Sequence, residues 1–170
     1  MKVIVLPGWT AKNKKWKDEV CGFLNAKGLE AIGIDWKHWG LGSDQMDFGY
    51  ELNRLANLVS QNPNCSIVAK SIGTVLIAAT LNDRKLQVHK LVLCGVPIKT
   101  SDQEGKKYLG ELTKVNSSKI KIFQNYQDPY GSVTDLKSFF QGSSLKDNIM
   151  EMNRGDHEYP YFDEILAFLK

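Results

Sequence analysis

The fold is decided by residues 65–75, which read CSIVAKSIGTV. The first half is a short apolar run typical of a buried strand, and the apolar run from Ile72 to Leu81 predicts a covered helix directly after it. Ala69 and Gly73, two positions before and after Ser71, permit a sharp turn between strand and helix. A serine at such a turn lies at a helix N-terminus, where free N–H groups and the helix dipole stabilise a developing oxyanion.

The same alternation of strand and helix continues on both sides of this stretch. Capping patterns at Ser101 and Ser132, and a first-turn proline at Pro160, mark three further helix starts. Strands are predicted at Val3–Leu6, Ala31–Asp35, Ser66–Ala69, His89–Leu93, Lys119–Gln124 and Asn148–Met152. The pattern predicts a single α/β domain over residues 1–170, a three-layer sandwich with helices on both faces of a parallel sheet.

Composition excludes several classes of protein. With 170 residues, 42% hydrophobic and 24% charged, the chain has the composition of a globular domain and not of a disordered or fibrous protein. The net charge of +3 is spread along the chain, so we expect no nucleic-acid partner. No apolar stretch approaches the ~20 residues that cross a bilayer, so we expect no membrane partner. Three widely spaced cysteines without a CxxC pair favour free thiols in the cytoplasm over disulfides or a metal site.

Two loops of the predicted sheet are candidates for the site. In doubly wound sheets the ligand lies beyond the carboxyl ends of the strands, where the strand order reverses. With the common order 2-1-3-4-5, that reversal lies between the first and third strands. The loops at residues 7–10 and 70–73 are therefore expected to meet, with Ser71 in the second of them.

A serine nucleophile needs a base, and the chain has three histidines. His89 begins the fourth strand, at the opposite end of the sheet from Ser71. His38 follows the second strand at the correct end, and we interpret it as a solvated loop residue. His157 lies in a glycine-containing turn, residues 153–159, between the last strand and the last helix. We predict that His157 is the base.

The base needs an acid that holds its tautomer. Asp128 follows the fifth strand at the same edge of the sheet, and a Pro-Tyr-Gly turn after it could fix the carboxylate, so Asp128 is the predicted acid. Asp156 ranks second, because neighbouring residues usually point apart. Asp35 is interpreted as a loop or cap residue. The predicted oxyanion hole combines the backbone N–H of Ile72 with that of Trp9 or Gly8.

These motifs together resemble the α/β-hydrolase superfamily. The matching segments are Leu6-Pro7-Gly8-Trp9, Ala69-Lys70-Ser71-Ile72-Gly73, Gln127-Asp128-Pro129 and Gly155-Asp156-His157. The chain is most similar to small, lidless serine hydrolases of the retinoblastoma-binding-protein type. The resemblance implies strand order 2-1-3-4-5-6. It also implies hydrolysis of a small-molecule acyl substrate, an ester or sometimes an amide or thioester, through an acyl-enzyme and without a cofactor.

Two features depart from or qualify this resemblance. Lys70 puts a cation beside the predicted nucleophile, where it would either assist the oxyanion or disfavour protonated His157. We expect that it extends to solvent instead. The connection from Gly95 to Ser118 holds about one helix, which predicts an open site. The predicted substrate contacts are Gly8, Trp9 and Tyr130. Five aromatic residues in these loops either line the site or only pack against the protein: Trp9, Trp36, Trp39, Tyr126 and Tyr130. The alternatives are a hydrolase-fold module that binds a protein partner, and acyl transfer to another acceptor.

Overall fold

The computed structural model describes residues 1–84 and 86–170, and its strands form one parallel sheet in the order β2-β1-β3-β4-β5-β6. The strands are β1 (Lys2–Leu6), β2 (Glu30–Gly33), β3 (Ser66–Lys70), β4 (Leu91–Cys94), β5 (Ile120–Asn125) and β6 (Ile149–Met152). Fold class and strand order are confirmed. The strand ends differ by one or two residues from those predicted. The change that matters is in β3, which continues through Lys70 because Lys70 is in register with Cys94 of β4.

Helices cover both faces of the sheet. They are α1 (Asn13–Ala26), α2 (Lys37–Gly40), α3 (Phe48–Gln61), α4 (Ile72–Arg84), α5 (Gln103–Glu111), α6 (Val133–Phe139) and α7 (Phe162–Leu169). α1 and α7 bury their apolar stripes on one face, and α3 to α6 do so on the other. α4 is apolar on most of its surface and is enclosed between α3 and α5, as its sequence predicts. None of the described helices combines the length and the hydropathy of a membrane-spanning segment.

The predicted helix starts have mixed outcomes. The capping box at Ser132 is confirmed, with reciprocal hydrogen bonds to Asp135. The prediction at Ser101 is wrong by one residue: the Asp102 carboxylate caps α5, because an ionised acceptor binds the free N–H groups more strongly than a hydroxyl does. Pro160 is not in the first turn of α7, which begins at Phe162. The side chain of the intervening Tyr161 donates a hydrogen bond to Asn125, and the Tyr161 backbone stays outside the helix.

Gly73 brings the start of α4 into direct contact with the end of β1. A Cβ atom built on Gly73 would lie 2.9 Å from the carbonyl oxygens of Leu6 and Pro7. These are backbone atoms of the last residue of β1 and of the residue after it, so they cannot move aside as a flexible side chain would. The two loops that the sequence predicted to meet, residues 7–10 and 70–73, are held together by this contact.

We expect Gly73→Ala to destabilise the protein by about 1–3 kcal/mol, because the added methyl group overpacks a rigid backbone contact. The matched control is Gly22→Ala in α1, where a Cβ atom would meet nothing within 4 Å. That control is expected to stabilise the protein by about 0.5–1 kcal/mol through helix propensity. Urea unfolding measures both, and equal stability of the two variants would contradict the prediction.

Candidate active site

Ser71 occupies a strained turn between β3 and α4. Its φ of 54° lies in the left-handed region, which costs a residue other than glycine about 1–2 kcal/mol. Hydrogen bonds hold this conformation: the Ser71 N–H donates to the carbonyl of Cys94 at 2.9 Å, and the Ser71 carbonyl accepts from both the N–H and the hydroxyl of Thr74. The turn presents the half-buried Ser71 side chain at the N-terminus of α4.

Asp128 and His157, which the sequence proposed as acid and base, are hydrogen-bonded. His157 Nδ1 lies 2.6 Å from Asp128 Oδ2, and the Asp128 side chain is fully buried. The Tyr130 N–H donates to the other carboxylate oxygen at 2.8 Å. An ionised carboxylate only accepts hydrogen bonds. The contact between Asp128 Oδ2 and His157 Nδ1 therefore fixes the proton on Nδ1 and leaves His157 Nε2 as an acceptor.

Tyr159 supplies a third donor to Asp128. Its hydroxyl donates to Oδ2 at 2.5 Å and accepts from the Asn125 N–H at 3.2 Å. Burial raises the pKa of Tyr159, and the hydrogen bond to Asp128 raises it further, so the hydroxyl stays protonated. The sequence analysis missed this residue. A tyrosine two positions after the predicted base, ahead of the last helix, is the signal that could have found it.

Gly95, directly after β4, makes room for the His157 ring. Its φ is 63°, and a Cβ atom there would lie 2.8 Å from His157 Cε1 and 2.5 Å from the ring of Tyr159. The ring of Tyr130 contacts the imidazole edge-on, with centroids 4.5 Å apart. The imidazole is therefore held by Gly95, Tyr130 and Tyr159 as well as by its acid. Gly95 was predicted only as the start of the long connection.

Ser71 and His157 line the same cavity, which has a volume of about 700 Å³. His157 Nε2 is buried and has no hydrogen-bond partner among the described residues, and no hydrogen bond joins it to the Ser71 hydroxyl. Catalytic hydrogen bonds are often long without substrate and tighten when it binds. One cavity is thus lined by a histidine with an unpaired ring nitrogen and by a serine at a helix N-terminus.

Asp156, the second candidate for the acid, is engaged elsewhere. Its carboxylate accepts hydrogen bonds from the Arg154 guanidinium, from the Asn125 amide at 3.3 Å and from the Glu158 N–H at 3.0 Å. The hydrogen bond from Arg154 is the main cause of a lowered pKa for Asp156. Its role is to shape residues 153–159, which we call the histidine loop.

Two further contacts fix the histidine loop. The Asn125 amide donates to the carbonyls of Asp156 and Glu158, at 2.8 and 2.9 Å. Lys70 Nζ donates to Glu158 Oε2 at 3.1 Å and lies 5.6 Å from the ring centroid of Trp16. The expectation that Lys70 extends to solvent is wrong, since its side chain is 2% exposed. Because β3 continues through residue 70, strand alternation turns Lys70 under α1 instead.

Two of the three predicted oxyanion donors belong to residues that line the same cavity. Ile72 and Trp9 both line it, whereas Gly8 is not among the lining residues. The backbone N–H groups of Ile72 and Trp9 have no acceptor within the described part of the chain. Two unpaired donors that line the same cavity as Ser71 are the kind of groups that bind a tetrahedral oxyanion.

The loop aromatics separate into two groups. Trp9 and Tyr130 line the cavity, whereas the exposed Tyr126 and the buried Trp36 are not among its lining residues. Trp39 also lies outside the lining. His38 is not a solvated loop residue as predicted: it is 3% exposed, and its Nε2 lies 3.0 Å from the Trp9 carbonyl oxygen. The residues after β2 form the short helix α2, which the sequence analysis did not predict and which turns His38 inward.

Other candidate groups lie apart from this cavity. His89 lies at the amino end of the sheet, as predicted, but two residues before β4 begins. It is exposed, and its backbone N–H donates to the Cys65 carbonyl. Asp35 pairs with Lys14 and Lys17, in keeping with a loop residue.

The three cysteines are free, and burial raises the pKa of Cys94 to about 12, which makes its thiol unreactive. Among the described residues, no cluster of histidine, cysteine and carboxylate side chains could hold a metal ion.

The chain is similar to several solved structures. No family model and no curated protein matches the sequence. The ydeN gene product of B. subtilis has a TM-score of 0.71 and 16% identity, covering 99% of this chain and 98% of that one. A putative hydrolase of the α/β superfamily from Xanthomonas campestris has a TM-score of 0.68 and 13% identity, covering 98% of both chains. The chain has the α/β-hydrolase fold.

A third similar structure bears on the lid. An α/β serine hydrolase without a lid, also from Xanthomonas campestris, has a TM-score of 0.67 and 14% identity, covering 99% of this chain and 76% of that one. In the present α/β-hydrolase fold the connection between β4 and β5 holds α5 and two short 3₁₀ turns. α5 forms one wall of the cavity through Gly105 and Tyr108. The closer resemblance to the retinoblastoma-binding-protein type stays a prediction.

Proposed function

We propose that the protein is a serine hydrolase that cleaves a small carboxylic ester, or a related amide or thioester, through an acyl-enzyme. One observation carries the proposal. The hydrogen bond between Asp128 and His157 leaves Nε2 of His157 without a partner among the described residues, and His157 lines the same cavity as Ser71. The fold supports it, because α/β-hydrolase folds present a serine at this strand-to-helix turn.

In the proposed reaction Ser71 Oγ attacks the acyl carbon while its proton moves to His157 Nε2. Asp128 stabilises the resulting imidazolium through Nδ1–H, and the N–H groups of Ile72 and Trp9 bind the oxyanion. The C–O bond to the leaving alkoxide breaks as Nε2 returns the proton to it. Water then attacks the acyl-enzyme by the same path, which releases the carboxylic acid and restores the Ser71 hydroxyl.

The cavity favours a neutral acyl group. Its volume of about 700 Å³ falls within the range of small-molecule sites. Phe48 and Tyr108 stack in its wall with centroids 6.4 Å apart, and Asp102 and Glu104 are the charged residues among the described lining. Two carboxylates, with no lysine or arginine among the described lining residues, disfavour a substrate that carries a carboxylate beside its ester.

A fluorophosphonate probe tests the nucleophile directly. We expect it to label the wild-type protein and to fail on Ser71→Ala, because phosphonylation needs an activated hydroxyl. The matched control is Ser101→Ala: Ser101 lines the same cavity, but its hydroxyl donates to the Pro97 carbonyl at 2.8 Å. That variant should be labelled like wild type. Equal labelling of Ser71→Ala and wild type would reject Ser71.

A panel of esters of increasing acyl length, with thioester and aminopeptide substrates beside it, defines the reaction class. Turnover that Ser71→Ala abolishes supports hydrolysis. No turnover and no probe labelling would instead favour the alternative, in which this fold binds a protein partner without catalysis. Product analysis with added alcohols or amines separates hydrolysis from acyl transfer.

A further inference from the structure

Three side chains after β2 hold the loop that follows β1. The indole N–H of Trp36 donates to the Gly8 carbonyl at 2.9 Å. The indole N–H of Trp39 and the Nε2–H of His38 both donate to the Trp9 carbonyl, at 2.8 and 3.0 Å. Trp36 and His38 are 1% and 3% exposed. The proposed reaction uses none of these three side chains.

The geometry of the peptide unit gives the Trp36 hydrogen bond a directional effect. The Gly8 carbonyl and the Trp9 N–H belong to one peptide, and the described peptides are trans. In a trans peptide the C=O and N–H bonds point in opposite directions. Trp36 is not among the residues that line the cavity, so a carbonyl held toward Trp36 turns the Trp9 N–H to the opposite side of the peptide. Trp9 does line the cavity, and its N–H has no acceptor within the described part of the chain.

We infer that Trp36 is a positioning residue, whose hydrogen bond to the Gly8 carbonyl aims the Trp9 N–H at the oxyanion. This inference rests on the proposed serine-hydrolase function. A hydrogen bond at the carbonyl also polarises the amide and strengthens its N–H as a donor. His38 and Trp39 hold the next peptide, so they fix the loop without orienting the Trp9 N–H.

The distribution of donors predicts unequal effects of two conservative substitutions. Within the described part of the chain the Gly8 carbonyl has one donor, Trp36, whereas the Trp9 carbonyl keeps His38 when Trp39 is lost. We expect Trp36→Phe to lower kcat about tenfold to hundredfold with KM within twofold, because a misaimed donor weakens binding of the transition state and not of the substrate. Trp39→Phe is expected to keep kcat within about threefold.

The affinity for a trifluoromethyl ketone distinguishes a positioning role of Trp36 from a merely structural one. Attack by Ser71 converts it to a tetrahedral hemiketal oxyanion, so its affinity reports the oxyanion hole. Affinity for it should fall in Trp36→Phe by the same factor as kcat/KM, while affinity for the carboxylic acid product stays within twofold. If Trp36→Phe retains wild-type kcat, or loses ketone and product affinity equally, the inference is overturned.

Phenylalanine is smaller than tryptophan, so Trp36→Phe can leave a cavity that unfolds the protein. Site-specific replacement of Trp36 by 3-benzothienylalanine avoids this, because it keeps the ring shape and removes only the N–H. The same loss of kcat and ketone affinity is expected, and wild-type values in this variant would overturn the inference. Failure of the proposed function itself is distinguishable, because the wild-type protein would then show no turnover that depends on Ser71.

Discussion

Replacing Ser71 with alanine is expected to lower kcat for an activated ester by about 10⁶-fold. The substitution removes the atom that forms the acyl-enzyme, and the remaining groups can then only bind substrate and stabilise charge. The Ser71 hydroxyl has no hydrogen-bond partner within the described part of the chain, and φ stays at its strained value with either side chain. The free energy of unfolding should therefore change by less than about 0.5 kcal/mol.

Single-turnover kinetics and thermal melting measure this prediction on one preparation. KM, or the affinity for the carboxylic acid product, should remain near the wild-type value, because the walls of the cavity are unchanged. A Ser71→Ala variant that melts like wild type and keeps more than a tenth of its turnover would exclude Ser71 as the nucleophile.

Asp128→Asn is expected to lower kcat by about 10⁴-fold while the protein stays folded. The amide that replaces the carboxylate can donate to Nδ1, which favours the tautomer with the proton on Nε2 and leaves no base for Ser71. The imidazolium formed during the reaction also loses the charge that stabilises it. The Tyr130 N–H can still donate to the amide oxygen at the Oδ1 position. The Tyr159 hydroxyl faces the Oδ2 position, where it can turn to accept from the new amide group, so hydrogen bonds still hold the turn.

The matched control is Asp156→Asn, one residue before the base. Asp156 accepts from Arg154, Asn125 and Glu158, so its loss should loosen the histidine loop without changing the tautomer of His157. We expect kcat within about tenfold of wild type. Steady-state kinetics on both variants decide between the two acids: near-complete loss in Asp156→Asn with an active Asp128→Asn would reassign the role to Asp156.

The fold could be predicted from the sequence because its signals are local. Buried runs such as Val3–Leu6 indicate strands, and the apolar run from Ile72 indicates a covered helix. The errors lie where a tertiary contact overrides a local pattern. Asp102 replaces Ser101 as a cap, and Lys70 is buried because β3 extends one residue to pair with β4.

Topology also gave the placement of the candidate site, since parallel strands end at one edge of the sheet. That argument brought Ser71, Asp128 and His157 to the same edge and excluded His89. It could not find Tyr159, Gly95 or Asn125, whose contacts with the site join parts of the chain about 30 or more residues apart. Such contacts leave no periodic signal in the sequence.

The sequence by itself determined the alternation of strands and helices, the small residues around Ser71 and the chain order of serine, aspartate and histidine. The tertiary structure alone decided that Asp128 and not Asp156 binds His157, that Lys70 pairs with Glu158, and that Trp36 and His38 turn inward onto the loop after β1. The physical reason is that hydrophobic periodicity and turn chemistry act between near neighbours. The partner of a buried polar group, in contrast, is whichever donor or acceptor the packed chain brings within about 3 Å.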